Sequence, residues 1–292
     1  MNFIRFSYIY FFLSLVLLGA SVASLFAFGL NAGPEFTGGT ILEVRYQESA
    51  PSSSELRDSL GALSLESLQV QQTEENRVLL RMKEIDETKH QEILAALGEE
   101  AEELRFETVG PVIGRELRQK TFVIIGLALL IIILYVAFAF RRVTGALRPW
   151  HWGIASLLSL VHDLLLPLGL MAAISRFGFE FTIPAVVALL TVAGYSINNN
   201  IVVFDRVREN LLKRTGIDLA DTVNKSLRQT FVRNMNTSLT TLIPLAAIFF
   251  LGGDTLKTFS LVLMAGIIVG FYSALFFSPA FLVKVFGRAR SS

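Results

Sequence analysis

The sequence contains no cysteine, and only 17% of its 292 residues are charged. The absence of cysteine excludes disulfide bonds, thiol catalysis, and zinc or iron–sulfur sites built on cysteine. Soluble globular chains carry about 25% charged residues, so charge is depleted for that class. Apolar residues make up 52% of the chain, which includes 24 phenylalanines. This composition predicts a polytopic membrane protein.

Enzyme motifs are also missing from the sequence. There is no P-loop, no HExxH and no Gly-x-Ser-x-Gly, and His90, His151 and His162 do not form a cluster with metal-ligand spacing. Nothing therefore supports ATP hydrolysis, zinc chemistry or acyl transfer. We predict no enzymatic activity, no metal and no cofactor, so any energy must come from an ion gradient or from another chain.

Six apolar stretches are long enough to cross a hydrocarbon core of about 30 Å as helices. They cover residues 8–30, 121–140, 152–175, 181–204, 235–251 and 259–286. The first stretch has an alternative interpretation as a cleavable signal peptide, because Arg5 precedes it and small residues follow at Ser21 and Ala23. The apolar run continues to residue 30, past that site, and favours an uncleaved anchor.

Lysine and arginine cluster in the short loops and at both termini, which predicts the orientation of the helices. The basic residues used for this orientation are Arg5, then Arg141, Arg142 and Arg148, then Arg206, Arg208, Lys213, Arg214, Lys225, Arg228 and Arg233, and finally Lys284, Arg288 and Arg290. The positive-inside rule places all of these in the cytoplasm. Because this topology accounts for the charge, a nucleic-acid role is disfavoured. The loop 206–228 predicts an amphipathic surface helix broken at Gly216.

The predicted domains are residues 1–30 with the first span, 31–118 outside the cytoplasm, 119–287 with the other five spans, and a cytoplasmic tail at 288–292. Segment 31–118 has 18 acidic and nine basic residues, a net charge of −9. Its apolar periodicity predicts strands at 40–46, 67–72, 77–83 and 102–108, and helices at 52–63 and 86–97. The order βαββαβ is that of a small ferredoxin-like α+β domain.

Asp163 is the clearest candidate for a functional residue inside a span. It lies near the middle of the third span, beside His162. An ionisable side chain at a helix centre costs about 2.5–3.5 kcal/mol on insertion scales, so it is a functional hypothesis by default. Two interpretations stay open: a protonatable pair that handles ions or gates the bundle, or a hydrogen-bonded aspartate that only fixes helix packing.

The fourth span carries Asn198, Asn199 and Asn200 in succession. At about 100° per residue they spread over about 200°, so at least two must hydrogen-bond into the bundle. The helix of the fifth span begins at Arg233 and has one polar face, which consists of Arg233, Thr237, Thr240 and Thr241. A polar seam between the two spans follows, although hydrogen bonding alone, or Arg233 reaching the membrane surface, would account for it equally.

Small residues recur four apart in the sixth span, at Gly266, Gly270 and Ala274. This spacing forms a ridge that lets a neighbouring helix approach closely.

Five segments resemble the motifs of one known family. They are residues 33–40, His162 and Asp163 with Gly169, residues 194–206, residues 233–241 with Gly252 and Gly253, and residues 266–273. Over nearly its whole length the chain resembles the SecD/SecF family of the RND superfamily, and in it the SecF branch. The loop motif rests on Phe36, Gly38, Gly39 and Thr40. The helix-four motif rests on Gly194, Tyr195, Ser196, Asn198, Asp205 and Arg206.

Two positions depart from the family pattern. Asn199 stands where the family has a proton-carrying aspartate, and Glu35 replaces an aspartate in the loop motif. An amide cannot titrate, whereas a carboxylate near an arginine can cycle between charge states. The resemblance implies an ion or proton pathway through Asp163, position 199 and Arg233, and Asn199 puts that pathway in doubt.

The resemblance implies an accessory subunit of the Sec protein-export machinery in the bacterial inner membrane. It implies a SecD partner that completes a bundle of twelve helices, and the SecYEG translocon with its ATPase SecA and the accessory proteins YajC and YidC. The proton-motive force would then help to pull or hold an unfolded preprotein outside the membrane. Two alternatives remain: a structural half without proton coupling, and an RND-type exporter of a small molecule or lipid.

Overall fold

A computed structural model describes residues 3–73, 76–141, 147–177, 179–252 and 254–287. These residues form two compact units: Ala32–Val123, and a second unit that combines the chain up to Asn31 with the chain from Ile124 onward. The predicted loop residues Glu74, Glu75, Arg142 and Gly253, and the tail residues Arg288 and Arg290, lie outside the described residues.

Six helical segments in the described residues are long and apolar enough to cross a membrane. They are Ile4–Phe28, Pro111–Ala139, Pro149–Phe177, Ile183–Leu212, Leu219–Leu251 and Leu256–Phe286. The prediction of six spans is confirmed, and the chain is a multi-pass membrane protein. As α-helices they are named α1 (Ser7–Phe28), α5 (Pro111–Phe140), α6 (Pro149–Ile174), α7 (Ile183–Leu212), α8 (Leu219–Leu251) and α9 (Asp254–Tyr272).

Helices α6, α7 and α9 form the centre of the bundle. Half of the most apolar part of each of these spans is buried, whereas α1 and α5 expose most of their surface. Two apolar clusters fill the centre, one around Trp152 and Phe204 and the other around Val192 and Ile267. The chain after α9 continues through two π-helical segments, Ser273–Phe277 and Leu282–Phe286, separated by the short helix α10 (Ser278–Phe281).

The prediction of a separate amphipathic surface helix over 206–228 is wrong. Helix α7 continues to Leu212, and α8 begins at Leu219, so the basic residues extend the two membrane helices instead. The predicted break at Gly216 is real. Asp218 starts α8 as its N-cap, because its side chain accepts a hydrogen bond from Asp221 N over 2.7 Å. Such a cap satisfies a free N–H at the helix end and fixes where the helix begins.

The unit Ala32–Val123 is an α+β structure with a four-stranded antiparallel sheet. Its strands are β1 (Gly39–Tyr46), β2 (Gln69–Thr73), β3 (Arg77–Met82) and β4 (Ala101–Val109), in the order β2-β3-β1-β4. Helix α3 (Ser53–Gly61) follows β1 and α4 (Glu87–Leu97) follows β3. This order and these connections are those of the ferredoxin-like fold, so the predicted fold class is confirmed.

Both helices of this unit begin at N-cap side chains, at the positions where the sequence predicts the helices to begin. Ser52 and Glu55 form a capping box before α3, and the Asp86 carboxylate accepts from Lys89 N over 2.8 Å before α4. The apolar faces of the helices and of the sheet then meet in a core that includes Leu42, Leu60 and others. Alternation in the strands and helical spacing in α3 and α4 therefore account for this fold.

The loop motif is structural in this unit. Gly38 and Gly39 both have positive φ, of 73° and 121°, and a Cβ on Gly39 would lie 2.9 Å from Met82 O. Thr40 Oγ1 lies 2.8 Å from Thr108 Oγ1 and accepts a bond from Ile85 N. Phe36 is buried in the short helix α2 (Pro34–Thr37). Glycine is required where φ is positive and the backbone is crowded.

Candidate functional site

The Asp163 carboxylate lies at the centre of the helix bundle and is completely buried. Its Oδ2 atom accepts hydrogen bonds from Ser196 Oγ on α7, over 2.6 Å, and from Ser273 Oγ after α9, over 2.7 Å. Its Oδ1 atom lies 2.9 Å from His162 Nδ1. One carboxylate thus joins three segments of the bundle. We name this group of residues, with Ser159 and Asn200, the Asp163 cluster.

Ser273 reaches Asp163 from the first residue of a π-helical segment. A π-helical turn inserts an extra residue into a helix, re-aims the following side chains, and occurs often at functional sites. Just before it, Gly270 lies opposite Ser196: a Cβ on Gly270 would lie 3.8 Å from Ser196 Cα. The glycine-ridge prediction is met most closely at Gly266, where a Cβ would overlap Val192 Cγ2 on α7.

A line of hydrogen bonds extends from the carboxylate to helix α7. Ser159 Oγ donates to Ser273 Oγ over 2.9 Å, and Asn200 Nδ2 donates to Ser159 Oγ over 3.0 Å. Asn200 Nδ2 also lies 3.0 Å from Ser196 O, one turn earlier on its own helix. All of these side chains are buried. Hydrogen bonds in such a dry environment are costly to leave unmade.

His162 is the titratable side chain that contacts Asp163. Its ring stacks on Phe277, with ring centroids 5.0 Å apart and planes at 14°. Its Nε2 atom is buried and has no hydrogen-bond partner among the described residues. The pair can therefore share a proton between a carboxylate and an imidazole, which is the chemistry that the sequence predicts for an ion or proton site.

Asn199 borders the same cluster. A Cβ built on Gly270 would lie 3.6 Å from Asp163 Oδ2 and 4.0 Å from Asn199 Nδ2. Asn199 is 1% exposed, and its Nδ2 atom has no hydrogen-bond partner in the described part of the chain. Asn199 and Asn200 are buried while Asn198 is exposed, but the predicted hydrogen bonds into the bundle are seen in the described residues for Asn200 and not for Asn199.

The other residues of the helix-four motif have different surroundings. Tyr195 OH donates to Thr237 O on α8 over 2.7 Å, and this bond is a real contact in the predicted seam. Gly194 is exposed. Asp205 and Arg206 form ion pairs along α7 itself, with Arg208 at 3.3 Å and with Glu209 at 2.6 Å.

Part of the predicted polar face of the fifth helix contacts the fourth helix, since Tyr195 OH on α7 lies 3.4 Å from Thr241 Oγ1 on α8. Arg233 and Thr240 are exposed, and the hydroxyls of Thr237, Thr240 and Thr241 donate to carbonyls of their own helix. The buried polar face is instead Thr230, Asn234 and Ser238, spaced by four residues. The structure therefore brings Asp163 and Asn199 together and places Arg233 on the outer surface of α8.

The sequence interpretation missed Ser159 and Ser273. Ser159 precedes Asp163 by four residues and so lies on the same helical face, which is a signal that was available. Ser273 ends the motif segment 266–273, but nothing in the sequence singled it out within that segment as a partner of Asp163. Serine is common in apolar spans, and these two are part of the candidate site because their hydrogen bonds lead to the Asp163 carboxylate.

The fold and the buried cluster define a multi-pass membrane protein with one α+β unit distinct from its helix bundle. The family described as "Protein export membrane protein SecD/SecF, C-terminal" matches residues 89–288. The chain is 38% identical to the protein translocase subunit SecF of Thermobaculum terrenum, over 96% of this chain and 92% of that protein. It is 36% identical to SecF of Pseudomonas aeruginosa, over 97% and 90%.

A solved structure is also similar. The crystal structure of SecDF, a translocon-associated membrane protein from Thermus thermophilus, matches with a TM-score of 0.82 at 35% identity, over 97% of this chain. This chain spans 38% of that SecDF chain. The chain belongs to the SecD/SecF family of protein export membrane proteins, and its similarity to the SecF subunits covers nearly the whole length of both chains.

Proposed function

We propose that this subunit works with a separate SecD partner in the bacterial inner membrane. Support comes from the similar Thermus protein, whose name joins both subunits and whose chain is much longer than this one. The proposed orientation has both termini in the cytoplasm and residues 31–118 outside, as the basic loops predict.

The proposal of a partner protein rests on a polar outer surface on α7 and α8. Asn198 on α7 and Arg233, Asn236 and Thr240 on α8 are all exposed within candidate spans. Lipid cannot satisfy the two asparagine amides, so these side chains face protein or water-filled space, whereas Arg233 precedes the apolar stretch 235–251 and extends the polar surface toward the cytoplasm. A second bundle that presents polar or acidic side chains to α7 and α8 would cover this surface.

The proposed activity is to help an unfolded preprotein leave the SecYEG channel, after SecA has pushed it through, by movement or holding on the outer side. The energy would come from the proton-motive force, with YajC and YidC as further members of the assembly. Within this chain, Asp163 is the proposed proton site, because it is a buried carboxylate with an imidazole beside it. Nucleic acid is no part of this function, and neither is enzymatic catalysis.

One observation favours a second candidate, a structural subunit without proton coupling. Position 199 holds a buried amide that cannot titrate, where the resemblance implies an aspartate. In that case SecD alone would bind the proton.

Export measured in membrane vesicles tests both candidates. Vesicles would contain the translocon, SecA, SecD and either the native chain or Asp163→Asn, and translocation of a labelled preprotein would be followed with and without a proton gradient. Under the proton-site proposal, Asp163→Asn loses the gradient-dependent part of export and keeps the part driven by ATP. If the variant keeps its full gradient response while it assembles with SecD, this subunit is structural. If export does not change when the whole subunit is omitted, the export role itself is wrong.

A further inference from the structure

The hydrogen bonds of the Asp163 cluster all have the same direction. Asn200 Nδ2 donates to Ser159, Ser159 donates to Ser273, and Ser273 donates to Asp163 Oδ2. An ionised carboxylate only accepts hydrogen bonds, so the charged form of Asp163 sets this direction. We name the four residues the hydrogen-bond chain.

A proton on Asp163 Oδ2 would reverse the direction. The new O–H needs an acceptor; Ser196 Oγ lies 2.6 Å away and Ser273 Oγ lies 2.7 Å away, and donation to Ser273 is the one that reverses the chain. Ser273 would then donate to Ser159, and Ser159 would need an acceptor at the far end. Serine hydroxyls rotate freely between donor and acceptor roles, so only the terminal residue limits the reversal.

Asn200 can provide the acceptor that Ser159 needs at the far end of the hydrogen-bond chain. Its amide carries a donor and an acceptor, and its Oδ1 atom is buried without a hydrogen-bond partner in the described residues. A half-turn of the amide would present Oδ1 to Ser159 in place of Nδ2. An apolar side chain at this position could serve neither direction.

The same rotation would act on helix α7. In the present direction Asn200 Nδ2 lies 3.0 Å from Ser196 O, and Ser196 Oγ donates to Asp163 Oδ2 over 2.6 Å. After rotation the amide oxygen would face the Ser196 carbonyl, which is repulsive. Protonation of Asp163 would therefore change contacts at two positions of α7, one helical turn apart.

We propose that Asn200 is a positioning residue that lets the hydrogen-bond chain reverse when Asp163 takes up a proton, and so transmits the protonation state to helix α7. The inference rests on the proposed role of Asp163 as the proton site. Among the described residues that contact Asp163, Ser196 on α7 and Ser273 after α9 carry no charge, and His162 on its own helix can titrate. Tyr272 is the next titratable group, with its ring centroid 6.1 Å from that of His162 and its OH donating to Tyr10 O.

Infrared difference spectra of the full chain in lipid nanodiscs with SecD test the proposal. Isotope-labelled asparagine and subtraction of an Asn200→Leu spectrum would assign the Asn200 amide band, and Asp163→Asn would assign the carboxyl band. On acidification we expect the protonated-carboxyl band and a shift of the amide band to develop with the same midpoint. In Ser159→Ala, which interrupts the hydrogen-bond chain, the carboxyl band should remain and the amide shift should disappear.

A carboxyl band that develops without any amide shift would overturn the inference and leave the proton-site function standing; the Ser273 hydrogen would then turn to Gly270 O, 3.2 Å away. If Asp163 stays ionised at every pH at which the chain is folded, both the inference and the proton-site function are wrong. Export provides a second measurement. We expect Asn200→Leu to lower gradient-dependent export about tenfold and Asn200→Ser, whose hydroxyl serves either direction, to restore most of it. Equal export by the two variants would contradict the proposed role.

Discussion

Ser196 on α7 donates its hydroxyl hydrogen to Asp163 Oδ2 on α6 over 2.6 Å, and both side chains are buried. A hydrogen bond to a charged group contributes about 1.5–3 kcal/mol net, so Ser196→Ala should lower the free energy of unfolding by about that amount. Chemical unfolding in mild detergent, followed by circular dichroism, measures the change. Thr191→Ala is the matched control, since this exposed hydroxyl donates only to Val187 O on its own helix. Equal stability of the two variants would contradict the expected role of the bond.

Two glycines four residues apart on α9 should respond differently to alanine. A Cβ on Gly266 would overlap the Val192 side chain on α7, whereas a Cβ on Gly270 meets nothing closer than Asp163 Oδ2 at 3.6 Å. Gly266→Ala should therefore force α7 and α9 apart and cost about 1–3 kcal/mol, as overpacking does. Gly270→Ala should fold with little loss. The ranking is checked by thermal unfolding of both variants in the same detergent, and the reverse order would contradict the observed helix contact.

Most of the fold follows from local pattern, because apolar length determines a span and alternation determines a strand. The six spans and the βαββαβ order depend only on such patterns. The ends of α7 and α8 could not be predicted in this way. Their basic residues lie past the apolar stretch, where hydropathy has no signal, and a helix continues there as long as neighbours and caps support it.

The candidate site was only partly predictable for a related reason. Asp163 is visible in the sequence because charge is rare in a span. The face of α8 that is buried depends on which side meets α7 and α9, and threonines can bond to their own helix as well as to a neighbour. The sequence interpretation therefore chose Arg233 and the three threonines over Asn234 and Ser238.

A fragment covering residues 31–118 should fold without the membrane helices. Its core residues Leu42, Leu60, Leu80 and Ile93 are completely buried within the unit, and its net charge of −9 keeps it hydrated. The fragment would be expressed alone and measured by circular dichroism and amide hydrogen exchange. No secondary structure and no protected amides would contradict the expectation.

The same fragment should lose stability in acid. Hydrogen bonds from the Ser52 backbone N–H and then from its hydroxyl lower the pKa of Glu55 at the start of α3. A carboxyl group with a lowered pKa in the folded state stabilises the fold above its unfolded pKa of about 4.3, and this contribution is lost as pH falls through the folded pKa. The free energy of unfolding of the fragment would be measured by urea unfolding from about pH 7 to about pH 3. Glu55→Gln should flatten the decline below about pH 4.5, and an unchanged pH profile would contradict it.

Asn199→Asp tests whether position 199 can join the proton site. The new carboxylate would border the same point beside Gly270 as Asp163 Oδ2, in a buried environment. Two like charges in one dry space repel each other, so we expect the variant to bind one more proton than the native chain near neutral pH. Arg233 lies on the exposed surface of α8 and does not contact Asp163 in the described structure, so its effect on proton binding at position 199 depends on how the partner bundle packs against α8.

Proton uptake by the purified complex with SecD, and gradient-dependent export in vesicles, would be compared for the native chain and Asn199→Asp. Asn198→Asp, at the exposed neighbouring position, is the matched control. Uptake of an extra proton together with stronger gradient dependence, seen only for Asn199→Asp, would show that a carboxylate at 199 couples to the Asp163 cluster. Identical export by all three chains would leave Asp163, or SecD, as the coupling site.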